Sequence, residues 1–237
     1  MIFLMAHIEH FIFNSFQTNC YVIWDETGKC TIVDPGCGSA EEITRLAEFI
    51  ESKNLEPVCI LLTHCHFDHI YGMAALAEKY GIPVYYDSKE MFTLTNTNPY
   101  VCNTYGLPLP ETFPIIKASQ EIHLPSRAID ISEGETIEVG NMSFEVLETP
   151  GHSIGGLCFL ERNEKVMFTG DTLFAGAIGR TDHPGGDYDV MMKCIFEKLL
   201  HLDGSTRVLP GHGPSSDIAT ERTTNPFLMP FNEPIED

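Results

Sequence analysis

The stretch Leu61–Gly72, LLTHCHFDHIYG, sets three imidazoles and a carboxylate within six residues: His64, His66, Asp68 and His69. Neutral imidazole and carboxylate are the donors that divalent cations such as zinc take from proteins. In extended backbone, alternate side chains share a face, so His64 and His66 can grip one ion while Asp68 and His69, at a turn into a helix, face another. Three further residues of the same chemistry follow at long range: His152 in TPGHS, Asp171 in GDT and His212 in PGHGP. One cation cannot use all seven. Sites of this kind take three or four protein ligands each, so the set suits two ions sharing a bridging carboxylate. Without thiolate among the donors the expected metal is Zn, with Fe or Mn as the other candidates.

Taken singly, His152 and His212 read as polar loop residues, Asp171 as a turn residue and Asp68 as a helix N-cap. Position argues otherwise. Predicted strand 58–62 runs into THCHFDH, strand 143–148 into TPGHS, strand 166–169 into GDT and strand 206–209 into PGHGP. Loops held by strand ends are where rigid scaffolds present reactive groups. Gly151, Gly211 and Gly213 beside the later ligands fit backbone bends that aim a side chain inward. A structural zinc site would be closed and rich in cysteine, whereas this His/Asp set leaves room for water.

The elements that must position these residues follow from periodicity. Ile43, Leu46, Ala47 and Ile50 keep helical spacing behind a capping box of Ser39 and Glu42, which predicts a helix over 39–53. A second helix is predicted over 69–80, stopped by Gly81 and Pro83. A third, over 187–201, stripes Val190, Met191, Cys194, Ile195 and Leu199 along one face. Further strands are predicted at 19–24, 30–34, 83–86 and 156–161, giving a mixed α/β chain. With no linker and no short repeat, one domain is expected. Segment 87–127, rich in Asn, Thr and Pro with isolated Phe92, Tyr100, Tyr105 and Phe113, reads as a loop-rich insertion and a candidate lid.

Fourteen basic against thirty-four acidic residues give a net charge of −20, which disfavours nucleic acid as a partner. A small-molecule substrate is the expectation. The run Glu133–Glu138 and the tail NEPIED read as solvated surface. Eight cysteines with no CxxC pair read as reduced thiols, several serving as small hydrophobes. The early run MIFLMAHIEHFIFNSF is broken by His7, Glu9 and His10 and reads as strand; no stretch reaches membrane-spanning length, so a cytoplasmic protein is expected. His7, His10, His123, His183 and His201 read as ordinary polar residues, with His183 set apart by its nearness to Asp171 in the chain.

The segments HCHFDH, TPGHS, TGDTLF and LPGHGP stand in the order and spacing of the metallo-β-lactamase superfamily, which the chain resembles from about residue 7 to 228. The resemblance implies a four-layer αββα sandwich with a dinuclear site at one edge of the sheets. It also implies a division of ligands: His64, His66 and His152 on one ion, Asp68, His69 and His212 on the other, Asp171 between them. Through NCYVI, VDPG, GDTLFAGAIGRTD and ERTTNPFL the chain is most similar to the glyoxalase II (hydroxyacylglutathione hydrolase) group in its short form. Full-length members carry a C-terminal helical domain, and only 25 residues follow His212 here. The implied reaction is hydrolysis of a thioester such as S-lactoylglutathione, by a water that two ions share and acidify. Asp68 would orient that water and Asp171 fix the intermetal spacing. Where the group has Lys or Arg followed by aromatic residues, this chain has Arg180, Thr181 and Asp182: the cation is kept as a candidate contact for an anionic substrate end, and the aromatic partner is missing. The rivals are a mononuclear iron persulfide dioxygenase, a lactonase or β-lactamase, and, from other classes, a metal-binding docking protein without turnover or an RNA phosphodiesterase.

Overall fold

Runs of β-branched and aromatic residues at the N-terminus form an antiparallel meander, β1 His7–Phe13, β2 Thr18–Trp24 and β3 Lys29–Val33. The computed structural model describes residues 6–107 and 125–229. After β3 the chain crosses through α1 Ala40–Ser52 to the parallel strand β4 Glu56–Leu61, as an amphipathic helix feeding a parallel neighbour does. Ser39 caps α1, its hydroxyl accepting the Glu42 N–H. Two helices, α2 Phe67–Ile70 and α3 Met73–Tyr80, lead to β5 Val84–Tyr86. A 3₁₀ turn at Ser88–Glu90, a π turn at Thr93–Thr97 and α4 Asn98–Tyr105 follow, and β6 Ala128–Asp130 completes a six-stranded sheet in the order β1-β2-β3-β4-β5-β6.

The second sheet begins with the antiparallel run β7 Thr136–Val139, β8 Met142–Glu148, β9 Leu157–Glu161 and β10 Val166–Gly170. A small hairpin of β11 Leu173–Phe174 and β12 Ala177–Ile178 precedes α5 Tyr188–Cys194, which continues as a π turn over Ile195–Leu199. Then β13 Arg207–Pro210 pairs parallel with β10, β14 Ser216–Asp217 forms the edge, and α6 Ile218–Thr224 ends the described elements. The strand order is β14-β13-β10-β9-β8-β7.

Three apolar clusters define four layers. Tyr21, Ile23, Val33 and Leu61 of the first sheet meet Val139, Phe144, Phe159, Phe168 and Leu209 of the second in a common core. The opposite face of the first sheet packs on Leu46 and Ile50 of α1 and Met73 and Leu76 of α3. The opposite face of the second packs Cys158, Leu160, Met167 and Val208 on Met191, Ile195 and Leu199. The architecture is the αββα sandwich. No helix of the described residues is long and apolar enough to cross a membrane. All eight cysteines are free, and seven are buried.

Several boundaries differ from the sequence expectation. The single helix over 69–80 is two, because the chain bends at Gly72, whose amide donates to the Pro35 carbonyl at 2.8 Å. A Cβ there would lie 2.9 Å from Cys37 Cβ, so the ligand turn can nest against residues 35–37 only with glycine at this point. The third helix loosens into a π turn after Cys194. The run 133–138 is not all surface: Ile137 faces the core within β7 while Glu135 and Glu138 stay exposed. The loop-rich reading of 87–127 is corrected for its first half, which is helical over 88–90 and 93–105. Residues 108–124, with Phe113 and His123, lie outside the described residues, as do 1–5 and the NEPIED tail.

Candidate metal centre

Four segments converge on one rim of the sandwich. β4 ends at Leu61 and delivers His64, His66, Asp68 and His69; the β8–β9 connection carries His152; β10 ends at Gly170, just before Asp171; and β13 ends at Pro210, two residues before His212. The parallel pairing of β10 with β13 sets Gly170 opposite Pro210, so Asp171 and His212 leave their strands side by side. Across the sandwich, the Thr63 carbonyl accepts the Leu157 N–H at 2.7 Å, tying the two sheets together beside the site.

The structure brings all seven ligand candidates together. His64, His66 and His152 offer donor atoms within 4.8 Å of one another, and so do Asp68, His69 and His212. Asp171 stands between the two trios. Its Oδ1 is 3.4 Å from His69 Nε2, and its Oδ2 lies 3.4 Å from His152 Nε2 and 3.5 Å from His212 Nε2. Imidazole nitrogens face one another closely, at 2.8 Å for His66 Nδ1 and His152 Nε2 and 3.3 Å for His69 Nε2 and His212 Nε2. His64 Nε2, His66 Nε2 and Asp171 Oδ1 are buried without any hydrogen-bond partner. Buried polar atoms rarely go unpartnered, and these three belong to the ligand candidates; the others among the described residues are the Tyr80 hydroxyl, Ser153 Oγ and both ring nitrogens of His183. The residues therefore fit divalent ions.

Four of the ligand candidates are held from behind. His69 Nδ1 lies 3.0 Å from Asp34 Oδ2, the carboxylate–histidine arrangement that fixes a ring and aims its other nitrogen at a metal. Asp34 also accepts the Thr63 N–H and hydroxyl, at 2.8 and 2.6 Å. His152 Nδ1 donates to the Arg180 carbonyl at 2.8 Å. The Thr18 hydroxyl donates to Asp68 Oδ2 at 2.7 Å. Asn19 donates to the carbonyls of Pro210 and Gly213, and Tyr21 donates to Pro210, so the start of β2 holds the His212 loop. Two glycines are required by space. At Gly211 a Cβ would stand 2.2 Å from Asp171 Oδ1, and at Gly151, with φ at +133°, it would stand 2.3 Å from Met191 Cβ.

The charges divide the cluster. Burial, and then the imidazole neighbours, hold His64 and His66 well below the usual histidine range; burial holds His152 down to about 4. That half stays neutral and keeps its lone pairs free. On the other half, burial opposes protonation of His69, but Asp68, Asp171 and Asp34 prevail and push it up to about 10. His212 is raised in the same way, burial being outweighed by Asp171 and Asp68. Asp68 stays ionised: burial opposes this, and the His69 and His212 imidazoles overcome it. The carboxylate half thus attracts positive charge.

A cavity of about 500 Å³ opens over the site, with His66, Asp68, His152, Asp171 and His212 at its floor. Phe16, Phe67, Val101, Tyr105 and Leu107 form apolar walls, so α4, from the segment expected to be loop, supplies part of the enclosure. Arg180 lines the same cavity. Its guanidinium is already matched, by Asp182 at 2.8 and 3.2 Å and by the Tyr105 hydroxyl at 3.1 Å.

The profile of the metallo-beta-lactamase superfamily matches residues 14–212. The chain belongs to that superfamily. The match begins at Asn14, whose amide donates to the Asp68 carbonyl at 2.9 Å, and ends on His212, so it encloses every candidate ligand. Among superfamily relatives, the hydroxyacylglutathione hydrolase GloC of Haemophilus influenzae is 37% identical over 222 residues, covering 94% of this chain and 98% of its own. The crystal structure of the BLEG-1 B3 metallo-beta-lactamase is similar with a TM-score of 0.77 and 33% identity, over 94% of this chain and 99% of that one. TTHA1623, crystallised in a di-iron-bound form, gives a TM-score of 0.75 at 33% identity, over 93% and 100% of the two chains.

Sequence reasoning did not find Asp34 or Thr18 behind the ligand candidates. An acid directly behind a strand, as in VDPG, was the one available signal for Asp34. His183, read as ordinary, is buried with its ring 5.0 Å from His66 and 5.1 Å from His152. It joins the wall of the cavity.

Proposed function

We propose that this chain is a metal-dependent hydrolase that cleaves a thioester, with two divalent ions as cofactors, Zn first and Fe as the alternative that the di-iron relative brings forward. One observation carries the reading. Two trios, His64–His66–His152 and Asp68–His69–His212, flank a shared carboxylate on the floor of a cavity sized for a small molecule. When bound, such a pair of ions supplies a water acidified toward neutral pH and a Lewis acid for the carbonyl it attacks.

The chain's own residues do the rest. Asp68, fixed by Thr18 and kept ionised, orients the attacking water and accepts its hydrogen bond. Asp171 holds the two halves at one spacing. Phe67, Val101, Tyr105 and Leu107 exclude bulk water and pack the apolar parts of the substrate. Arg180, on the rim, meets a polar or anionic substrate end while sharing its charge with Asp182. A thiol's pKa, near 8.5, lets the thiolate depart without a dedicated acid. The resemblance to a hydroxyacylglutathione hydrolase favours glutathione thioesters as the first substrates to try.

The test is hydrolysis of S-lactoylglutathione by metal-analysed protein, with glutathione persulfide and oxygen uptake as the control. Turnover of the thioester with two ions bound supports the reading. Oxygen consumption with one iron would replace it with the dioxygenase, and inactivity toward both with two ions present would direct the search to lactones and β-lactams.

A further inference from the structure

Once β4 ends at Leu61, residues 62–66 have left the regular ladder, yet they must hold two histidines steady. Buried backbone groups released from a sheet need other partners. Two side chains from the segment after β5 provide them. Glu90, completely buried, accepts the Cys65 N–H on Oε2 and the Gly155 N–H on Oε1, each at 2.7 Å. One carboxylate therefore grips both loops of the all-histidine trio: the residue between His64 and His66, and the residue three past His152. Asn98, also completely buried, donates to the Cys65 carbonyl at 2.9 Å and accepts the Phe67 N–H at 3.3 Å. Cys65 is thus held on both sides of its peptide unit. The approach is close enough that a Cβ on Gly155 would stand 3.0 Å from Glu90 Cγ.

The other trio has its own anchors. Thr18 holds Asp68, Asp34 holds His69, and Asn19 and Tyr21 hold the His212 loop. Neither Glu90 nor Asn98 contacts these anchors among the described hydrogen bonds. Building on the metal reading above, we propose that Glu90 and Asn98 are positioning residues for His64, His66 and His152. The ion held by that trio depends on them, and the ion held by Asp68, His69 and His212 does not. Their own segment also supplies the cavity wall through Val101 and Tyr105, so one element sets both the enclosure and half of the ligand geometry. A charged acceptor suits the task, since bonds from N–H to carboxylate are about twice as strong as neutral ones. Gln at this position can accept on only one oxygen and turns an NH₂ toward the other N–H.

The experiment titrates Zn²⁺ into ion-free wild type, Glu90→Gln, Asn98→Ala and Thr18→Val against a competing chelator, with thermal unfolding of each ion-free protein alongside. Wild type should show two binding steps. Glu90→Gln should weaken one step by about 10–100-fold, the usual effect of removing a group that orients ligands, and leave the other in place. Asn98→Ala should weaken the same step by a smaller factor, and Thr18→Val the opposite one. A merely structural role would lower the unfolding temperature and leave both steps alone. That result, or both steps falling together in Glu90→Gln, would overturn the proposal. If Glu90→Gln does not fold, Asn98→Ala decides by the same criterion. A folded wild type that takes up fewer than two ions would overturn the metal reading itself, and the proposal with it.

Discussion

Asp34→Asn removes a single charge from behind the site and leaves every ligand in place. Asp34 is buried and accepts three times: from the Thr63 N–H at 2.8 Å, from the Thr63 hydroxyl at 2.6 Å, and from His69 Nδ1 at 3.0 Å. Asn has one acceptor oxygen. Turned toward His69 it presents its NH₂ to the Thr63 N–H, and turned the other way it presents NH₂ to the imidazole. Either way a buried donor loses its partner and a charge-assisted bond becomes neutral, a cost of about 2–4 kcal/mol. For a chain of this length that lowers Tm by about 5–15 °C, measured by circular dichroism on chelator-treated protein so that ion binding does not contribute. His69 loses the hydrogen bond that fixes its ring, so the affinity for at least one ion should drop by about 10–100-fold in a chelator competition. A variant with wild-type Tm and undiminished ion affinity would refute the claim that Asp34 orients His69.

Replacing Asp171 by Ala should abolish ion content and turnover together, because its two oxygens face both trios; two ions with full activity would sink the bridging assignment. Arg180→Ala should act mainly on KM, by up to about fivefold, since its partners sit at an exposed rim where ion pairs are worth little; a fall in kcat at constant KM would place it in the chemistry instead. Loading ions should release protons. Against burial, the neighbouring carboxylates raise His69 from 6.5 to about 10, so at pH 7 it is an imidazolium that must shed its proton to bind a cation. Calorimetric titration in buffers of different ionisation enthalpy should find about one proton released by His69 at pH 7, falling to about half a proton as the pH reaches about 10. The same sign means that its contribution to ion-free stability is complete below pH 6.5 and disappears as the pH climbs toward about 10.

The residues legible in the chain were those whose chemistry is concentrated locally. His64, His66, Asp68 and His69 are nearly contiguous, and His152, Asp171 and His212 each follow a short apolar run that reads as a strand. Their supports were illegible because each is joined to its partner by topology: Thr18 reaches Asp68 across 50 positions, Glu90 reaches Gly155 across 65, and Asn19 reaches Pro210 across 191. Segment 88–105 looked like loop for a related reason. Its buried face includes Glu90, Thr93, Thr97 and Asn98, so the apolar periodicity by which helices are recognised is weak there.

The sequence alone determined the donor chemistry and the mixed α/β order. Only the tertiary structure decided which donors face one another, that Arg180 meets the cavity with its charge already matched, and that the first half of the expected insertion is helical and lines the cavity. Ligand type is a property of a side chain, whereas convergence belongs to strand ends that the register of two packed sheets brings to the same rim.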